Sequence, residues 1–354
     1  MGASSHALAT AKRDPRLRRY DYDVTNTVKV SDPDTVRNAV TQIFLGIWPT
    51  ASFDEMWLAF HDFQRLFQGR MPGYASCDTV YHDTQHSLDI TLATARLIAG
   101  YEATVTLEER LGPERGMLGV ICALFHDAGY IRDNADEQFS NGAEHTSWHV
   151  SRSAQFLQEY LPGIGMSKAA YRSSLIVHFT GYEKQIDDLE NALQDPLDSV
   201  LGHLLGTADL IAQMADRCYL EKCRDRLYQE FLLGGVAVEK DSDGFKRVKY
   251  QSGKDLLLQT PDFYESFVKK RLKQTFNHAY RYIEALYDGR NPYMVIIERS
   301  FAYLEHIIET GDWSGLRRTP PRLAVTDDAL TDARRARQYM TQHTAANTAI
   351  LSQA

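Results

Sequence analysis

The sequence has few of the features that mark disulfide-rich, nucleic-acid-binding or membrane proteins. It has only four cysteines among 354 residues, and no two are spaced as Cys-x-x-Cys, which argues against a disulfide framework and a thiolate zinc site. Basic residues are in the minority, 39 against 47 acidic ones, and the net charge of −8 argues against extended nucleic-acid binding. Long apolar runs are also missing, since the run from Leu118 to Phe125 has eight residues, too few to cross a bilayer.

The N-terminal residues give no sign of membrane targeting. They contain no apolar signal core, and His6 stands where a myristoylation motif has Ser or Thr. We therefore expect a cytoplasmic protein that does not bind a membrane. No pattern in the sequence indicates the oligomeric state.

The spacing of apolar residues predicts the fold class. They recur every three to four positions through most of the chain, as in Val36, Val40 and Ile43, which is typical of amphipathic helices. Between Gly234 and Tyr250 they alternate instead around an Asp-Gly turn, which predicts a β-hairpin. The sequence therefore predicts a mainly α fold, a helical bundle with additional C-terminal helices and one small β-hairpin.

The same patterns divide the chain into four segments. These are a charged, proline-interrupted N-terminal arm (1–33), a helical core (34–233), a hairpin and C-terminal helices that complete the bundle (234–314), and a peripheral tail (315–354). In the third segment, Pro261–Leu286 and Pro292–Ile308 are predicted to be amphipathic helices with a proline near each start.

Residues of metal-ligand type occur in the order His, His-Asp, His, His, Asp, each in a segment predicted to be helical. They are His86, the adjacent pair His126 and Asp127, His149, His178 and Asp209. Imidazole and carboxylate together suit divalent metals, and one carboxylate can bridge two ions. We therefore predict a site for two divalent metal ions. The ligand types do not separate manganese, magnesium, zinc, iron and nickel.

Two pairs of histidines four residues apart add further candidates. In the stretch Tyr-His-Asp-Thr-Gln-His, a helix would point His82 and His86 the same way, so that one binds metal while the other faces the substrate. In the second pair we favour His149 as the ligand, because inward-facing apolar residues follow it. Glu144 and His145 would then orient ligands or water, and the choice between His145 and His149 stays open.

These motifs resemble those of the HD-domain metal-dependent phosphohydrolase superfamily, which is named after an adjacent His-Asp pair like His126-Asp127. The Tyr-His-Asp-Thr-Gln-His stretch is similar to the Tyr-His-Asn-x-x-His signature of the cyclic-nucleotide phosphodiesterase branch. The stretch around Asp209, followed by Tyr219 through Phe231, also looks like that branch. The resemblance covers about residues 81–231.

The resemblance implies a mechanism. It makes His86, His126, Asp127 and Asp209 ligands of one metal, with Asp127 bridging to the second and His82 as general acid. A metal-bridging hydroxide would attack the phosphorus, and His82 would protonate the departing oxygen. The expected activity is hydrolysis of a small phosphorylated or nucleotide-like substrate, most simply a cyclic phosphodiester.

Two departures from the branch keep other functions open. After His126-Asp127 the chain continues Ala-Gly-Tyr, where the phosphodiesterase branch has further Asp-His. With His149 and His178 as direct ligands, the chain looks more like HD proteins with a fully protein-bound second metal, some of which are diiron oxygenases. The alternatives are therefore a diiron oxygenase acting on a small substrate and a non-catalytic HD module that senses a ligand.

Overall fold

The structure is a computed structural model that describes residues 19–240 and 246–320. Over these residues the fold is mainly α-helical, as the apolar period predicts. The helices are α1 (Pro33–Ile47), α2 (Asp54–Phe67), α3 (Thr84–Thr104), α4 (Gly112–Phe125), α5 (His149–Gly163), α6 (Ala170–Ile176), α7 (Ile186–Ala192), α8 (Pro196–Met214), α9 (Tyr219–Lys222), α10 (Tyr228–Leu233), α11 (Gly253–Phe263) and α12 (Pro292–Thr310). The strands are β1 (Val238–Lys240) and β2 (Lys246–Val248).

The long helix α3 lies at the centre of the bundle. It packs against α1, α4 and α8, and against the 3-10 helical segment Ala279–Leu286. Nearly all of its side chains are buried, as expected for a helix that is surrounded on all sides. Asp83 caps its N-terminus by accepting a hydrogen bond from the backbone N–H of His86. The cap starts the helix within the Tyr-His motif.

The next helix, α4, returns along α3 after a short connection. Gly119 allows the close packing, because a Cβ there would lie 2.7 Å from Leu201 Cδ1 of α8 and 3.0 Å from Ile98 Cδ1 of α3. The C-terminal end of α4 therefore comes back to the N-terminal end of α3. This return brings His126 to the same end of the bundle as His86.

The hairpin is present, and the helix after it starts earlier than predicted. β1 and β2 pair antiparallel, with Val238 opposite Val248, whereas the Asp-Gly turn between them lies outside the described residues. The helix expected to begin at Pro261 begins at Gly253, because Ser252 accepts a hydrogen bond from the backbone of Asp255 and caps it. Pro261 lies inside α11.

The chain after α11 also departs from one regular helix. It continues through π-helical turns at Tyr264–Val268 and Arg271–Thr275 and then the 3-10 segment. α12 begins at Pro292, as predicted, and Asn291 caps it. Of the predicted tail, residues 321–354 lie outside the described part. No helix of the described residues is both long and apolar enough to cross a membrane.

The described part of the predicted N-terminal arm packs on the core. Asp23 is fully buried, accepts hydrogen bonds from the backbone N–H groups of Thr27 and Val28, and lies 2.7 Å from the Arg96 guanidinium of α3. Arg96 also donates to the Tyr293 hydroxyl of α12 at 2.8 Å. The arm is rich in charged residues, but one of them, Asp23, is buried and pairs with Arg96, which is distant along the chain.

Replacing Asp23 should destabilise the protein in a pH-dependent way. Burial raises the pKa of Asp23, but Arg96 and the hydrogen bonds outweigh it and lower the pKa to about 2. A carboxyl whose pKa is depressed by folding stabilises above its unfolded pKa and loses that effect as the pH falls through its folded pKa. We expect Asp23→Asn to lower the free energy of unfolding by about 2 kcal/mol at pH 7, and by roughly half of that at pH 3.

Urea unfolding at the two pH values measures this difference. The control is Asp34→Asn, which removes an exposed carboxylate paired with Arg37 on α1 and should cost less than ~1 kcal/mol. Equal losses for the two variants at pH 7 would contradict the role of Asp23.

Candidate metal centre

Three helices that pack on one another bring His86, His126 and Asp209 together. His86 lies in the first turn of α3, His126 caps the end of α4, and Asp209 lies within α8. Their ligand atoms all lie within 4.8 Å of one another, and all three side chains are buried. Two ligands of one cation, each ~2.1 Å from it, are at most ~4.2 Å apart. The cluster therefore has nearly the spacing of a metal site.

Asp127 lies between this cluster and His149. Its Oδ2 is 3.2 Å from His86 Nε2 and 3.1 Å from His126 Nε2, whereas its Oδ1 is 3.6 Å from His149 Nε2. The two carboxylate oxygens thus point to different histidines. This is the arrangement that a carboxylate needs to bridge two cations.

Backbone contacts orient the imidazoles of His126 and His149. Nδ1 of His126 lies 2.8 Å from the carbonyl of Ala123, and Nδ1 of His149 lies 2.8 Å from the carbonyl of Thr146. In each ring, Nδ1–H therefore donates to the backbone and Nε2 is left as the ligand atom. Sequence reasoning cannot detect these bonds, because they depend on how each helix ends or begins.

The turn after Asp127 packs closely on the start of α5. The backbone N–H of Gly129 donates to Ser153 Oγ at 2.9 Å, and a Cβ at Gly129 would overlap the carbonyl of His149. Only glycine fits this contact without a backbone shift. The turn thereby sets the distance between Asp127 and His149.

The buried polar atoms of the cluster fit a cation. His126 Nε2 and Asp127 Oδ2 are both buried and lie 3.1 Å apart, but among the described residues neither atom makes a hydrogen bond of good geometry. Such groups are costly to bury unless something compensates them. A divalent metal compensates imidazole nitrogen and carboxylate oxygen together, so the donor set and its unmet bonds fit the predicted cofactor.

The charges of the cluster depend on one another. Burial raises the pKa of Asp127, but His126 and His82 outweigh it and hold the pKa well below its usual range. Burial lowers the pKa of His126, but Asp127 outweighs it and raises the pKa to about 9. Burial raises the pKa of Asp209. Without a cation, His126 therefore carries the charge that balances Asp127, and a cation that binds here displaces its proton.

His82 lies beside the cluster, but on a loop and not on the predicted helix, because α3 begins only at Thr84. Its ring centroid is nevertheless 5.2 Å from that of His86. Nδ1 of His82 lies 2.5 Å from Oε2 of Glu230, and Oε1 of Glu230 accepts from the backbone N–H of Tyr81 at 2.5 Å. Burial lowers the pKa of His82, but Glu230 outweighs it and the net pKa is raised.

The ring of Tyr130 contacts two of the histidines. Its ring stacks on His82 with centroids 4.4 Å apart and on His149 with centroids 4.3 Å apart. The turn after Asp127 places it there. Tyr130 thus packs on both the imidazole that faces Glu230 and the imidazole that faces Asp127, and it restrains both ring planes.

The remaining predicted residues are not all at the cluster. His178 is buried in a 3-10 turn, and its Nδ1 has no hydrogen-bond partner among the described residues. Burial lowers its pKa to about 4. Glu144 accepts hydrogen bonds from Ser140 and from the backbone of Asn141 within its own turn.

His145 differs from its neighbour His149. Its Nε2 lies 3.4 Å from Asp136, and its ring contacts Phe139 and Trp148. Neither Glu144 nor His145 lines the cavity described next, and their predicted orienting role stays a prediction. Of the two histidines, the structure places His149 at the cluster.

A cavity of about 650 Å³ opens onto the cluster. Its inner end is lined by His82, His86, His126, Asp127, His149 and Asp209, and its outer part by largely apolar residues from α8 to α11 and beyond. This size is within the range of small-molecule sites. The candidate ligands therefore face a space that a small molecule can enter.

Sequence reasoning missed three residues that support the site. Glu230 and Tyr130 are described above, and Gln213 donates to Asp209 Oδ1 at 3.1 Å while it accepts from the Tyr81 hydroxyl at 3.2 Å. Gln213 is one helical turn after Asp209, so its spacing was a usable signal. Glu230 is far from His82 in sequence, and no local pattern links the two.

The fold and the site define a mainly α-helical protein with a buried histidine and aspartate cluster at the inner end of a cavity. The chain belongs to the Npun_R2479-like family, whose match covers residues 69–306 and so includes the whole cluster, His82 and Glu230. No curated protein and no solved structure matches the chain. The name of the family states no activity.

Proposed function

We propose that the chain is a metal-dependent phosphohydrolase of the HD-domain type, most simply a phosphodiesterase acting on a small nucleotide-like ester. The observation that carries the proposal is that His82, held by Glu230, faces the same cavity as Asp127 and the cluster of His86, His126 and Asp209. A candidate proton donor thus lies beside the candidate ligands of the metal ions that would contact the phosphoryl group. This combination suits cleavage of a bond to a leaving oxygen.

We propose ligand sets for the two cations that follow the resemblance to HD-domain proteins. His86, His126, Asp127 and Asp209 would hold one ion, and Asp127, His149 and His178 the other. His178 does not line the cavity, and its support is a buried Nδ1 without a hydrogen-bond partner among the described residues and an electrostatic interaction with His149. When bound, two divalent cations would neutralise charge on the phosphoryl oxygens and lower the pKa of water.

His82 would supply the proton to the leaving oxygen. Glu230 accepts the Nδ1 proton of His82, which leaves Nε2 for the substrate and stabilises the charged form of the ring. Tyr130 prevents the ring from turning, since it stacks on its face. Gln213 holds the Asp209 carboxylate in place.

A diiron oxygenase is the second candidate. The observation that favours it is the pair His149 and His178, which would give the second ion ligands from the protein alone. The His82–Glu230 pair argues for hydrolysis, because an oxygenase has no leaving oxygen that needs a proton.

The test is metal analysis followed by a substrate screen. The full chain, purified without chelator, is assayed with manganese, magnesium, zinc, ferrous iron or nickel against 4-nitrophenyl phosphate, bis(4-nitrophenyl) phosphate and cyclic mononucleotides. We expect bound metal and hydrolysis of at least one ester. Both should be lost in the double variant His126→Ala with Asp127→Ala.

Other outcomes assign the protein differently. Dioxygen consumption together with a mixed-valent diiron spectrum, and no ester cleaved, would replace the proposal with an oxygenase. Binding of a nucleotide without turnover under every metal would favour the non-catalytic sensing module.

A further inference from the structure

We infer that the substrate carries a single phosphoryl group attached to an apolar or aromatic group, which the outer wall of the cavity binds. The inference rests on the proposed function, since the phosphoryl group is placed at the candidate metals. The inference goes beyond that function because it assigns the outer part of the cavity to binding the apolar or aromatic group of the substrate.

The outer wall exposes aromatic rings that would otherwise be expected inside. Tyr182, Phe263 and Phe267 all line the cavity and are 57%, 43% and 37% exposed. They form one group, because Phe267 lies 5.2 Å from Tyr182 and 5.3 Å from Phe263 between ring centroids. Exposed apolar patches at the mouth of a cavity mark places where an apolar ligand is covered.

The group is held in place from behind. The Arg271 guanidinium lies 4.7 Å from the Tyr182 ring and donates to the carbonyls of Phe179 and Gly181. Its charge is thus directed at backbone carbonyls and at the Tyr182 ring, and Arg271 does not line the cavity. Tyr182 therefore presents a fixed ring.

Two helices direct their apolar side chains into the same space, and each contains a π-helical turn. One runs from α9 through the π turn Cys223–Leu227 into α10 and contributes Tyr219, Cys223, Leu227 and Phe231 to the lining. In α-helical geometry, residues spaced by four drift around the axis, and the wider π turn offsets that drift. These four side chains therefore all stay on the side of the helix that faces the cavity. The other is α11 with its π turn, which carries Leu256, Phe263 and Phe267.

Cations are scarce in the same lining. Lys249 is the only lysine or arginine among the described residues that line the cavity, and it is exposed at the outer end, 5.5 Å from the Tyr250 ring. Glu183, the one acid of the outer part, accepts hydrogen bonds from the backbone of Val150 and Ser151. A second phosphate would find little compensation for its charge here. An uncharged group would displace water from aromatic surface instead.

Binding of two non-hydrolysable probes tests the inference. Isothermal titration calorimetry with the metal-loaded full chain compares 1-naphthylphosphonate, which carries a large aromatic group, with methylphosphonate. We expect the naphthyl probe to bind at least tenfold more tightly. In the double variant Phe263→Ala with Phe267→Ala, its affinity should fall by about tenfold, while that of methylphosphonate stays the same.

The matched control is Leu258→Ala. Leu258 is on the same helix and 42% exposed, but it does not line the cavity, so its loss should leave both affinities unchanged. Equal affinities for the two probes, or an unchanged naphthyl affinity in the phenylalanine variant, would overturn the inference even if phosphoesters are hydrolysed. If the naphthyl probe binds more tightly through Phe263 and Phe267 but the protein hydrolyses no ester, the apolar binding role of the outer wall is supported and the proposed hydrolase function is rejected.

Discussion

Asp127→Ala should remove both of the proposed metal ions and lower the proposed phosphoester hydrolysis by on the order of 10³-fold or more. Asp127 is the residue whose two oxygens face different histidines, with Oδ2 toward His86 and His126 and Oδ1 toward His149. Its loss therefore weakens both ligand sets at once.

The metal content per chain, measured by elemental analysis after gel filtration, shows whether Asp127 bridges two ions or binds only one. His149→Ala serves as the comparison, because His149 approaches Asp127 from one side only and its loss should cost one ion of the two. Asp187→Ala, an exposed acid in the first turn of α7, should change neither metal content nor rate. Retention of both ions by the Asp127→Ala protein would show that the bridge does not exist.

Three of the candidate residues stand out in the sequence because they end or interrupt a helical apolar run. His126-Asp127 follows the buried stretch of α4, and Asp209 lies in the buried middle of α8, so burial and polarity conflict at those positions. A conflict of this kind is visible without a structure. It indicates that a partner is needed, although it does not say which partner.

The sequence could not predict the contacts between side chains that are far apart along the chain. Glu230 reaches His82 only because α10 packs near the loop before α3, and Asp23 finds Arg96 only because the N-terminal turn folds onto the middle of α3. Helical periodicity reports which side of a helix is buried and not which helix covers it. For the same reason, the sequence of the charged arm did not show that Asp23 packs on the core.

The cavity wall shows the same limit. Phe263 and Phe267 were predicted to lie on an amphipathic helix, which is consistent with simple packing, and Tyr182 was one tyrosine among 19. Their exposure at one opening depends on the π-helical turn and on Arg271 behind Tyr182. Neither feature has a sequence signature.

His82→Ala should slow hydrolysis to an extent that depends on the leaving group. A general acid contributes ~10²- to 10⁴-fold where the departing oxygen needs a proton. We therefore expect a loss of that size for a phenyl phosphate ester, and a much smaller loss for the matched 4-nitrophenyl ester, whose anion leaves without protonation. Initial rates across a series of aryl esters measure this dependence. The exposed His61 provides the control variant, His61→Ala, which should change no rate.

Glu230→Gln separates proton donation from metal binding, because Glu230 touches His82 and the Tyr81 backbone but no candidate ligand of the cluster. The carboxylate favours the charged form of His82, so its removal should lower the pKa of His82 and move the alkaline limb of the pH–rate profile to lower pH, with metal content unchanged. His82 also lies within ligand distance of His86 and Asp127. If His82→Ala reduced metal content and slowed all esters equally, His82 would be a metal ligand and the acid would have to be another group.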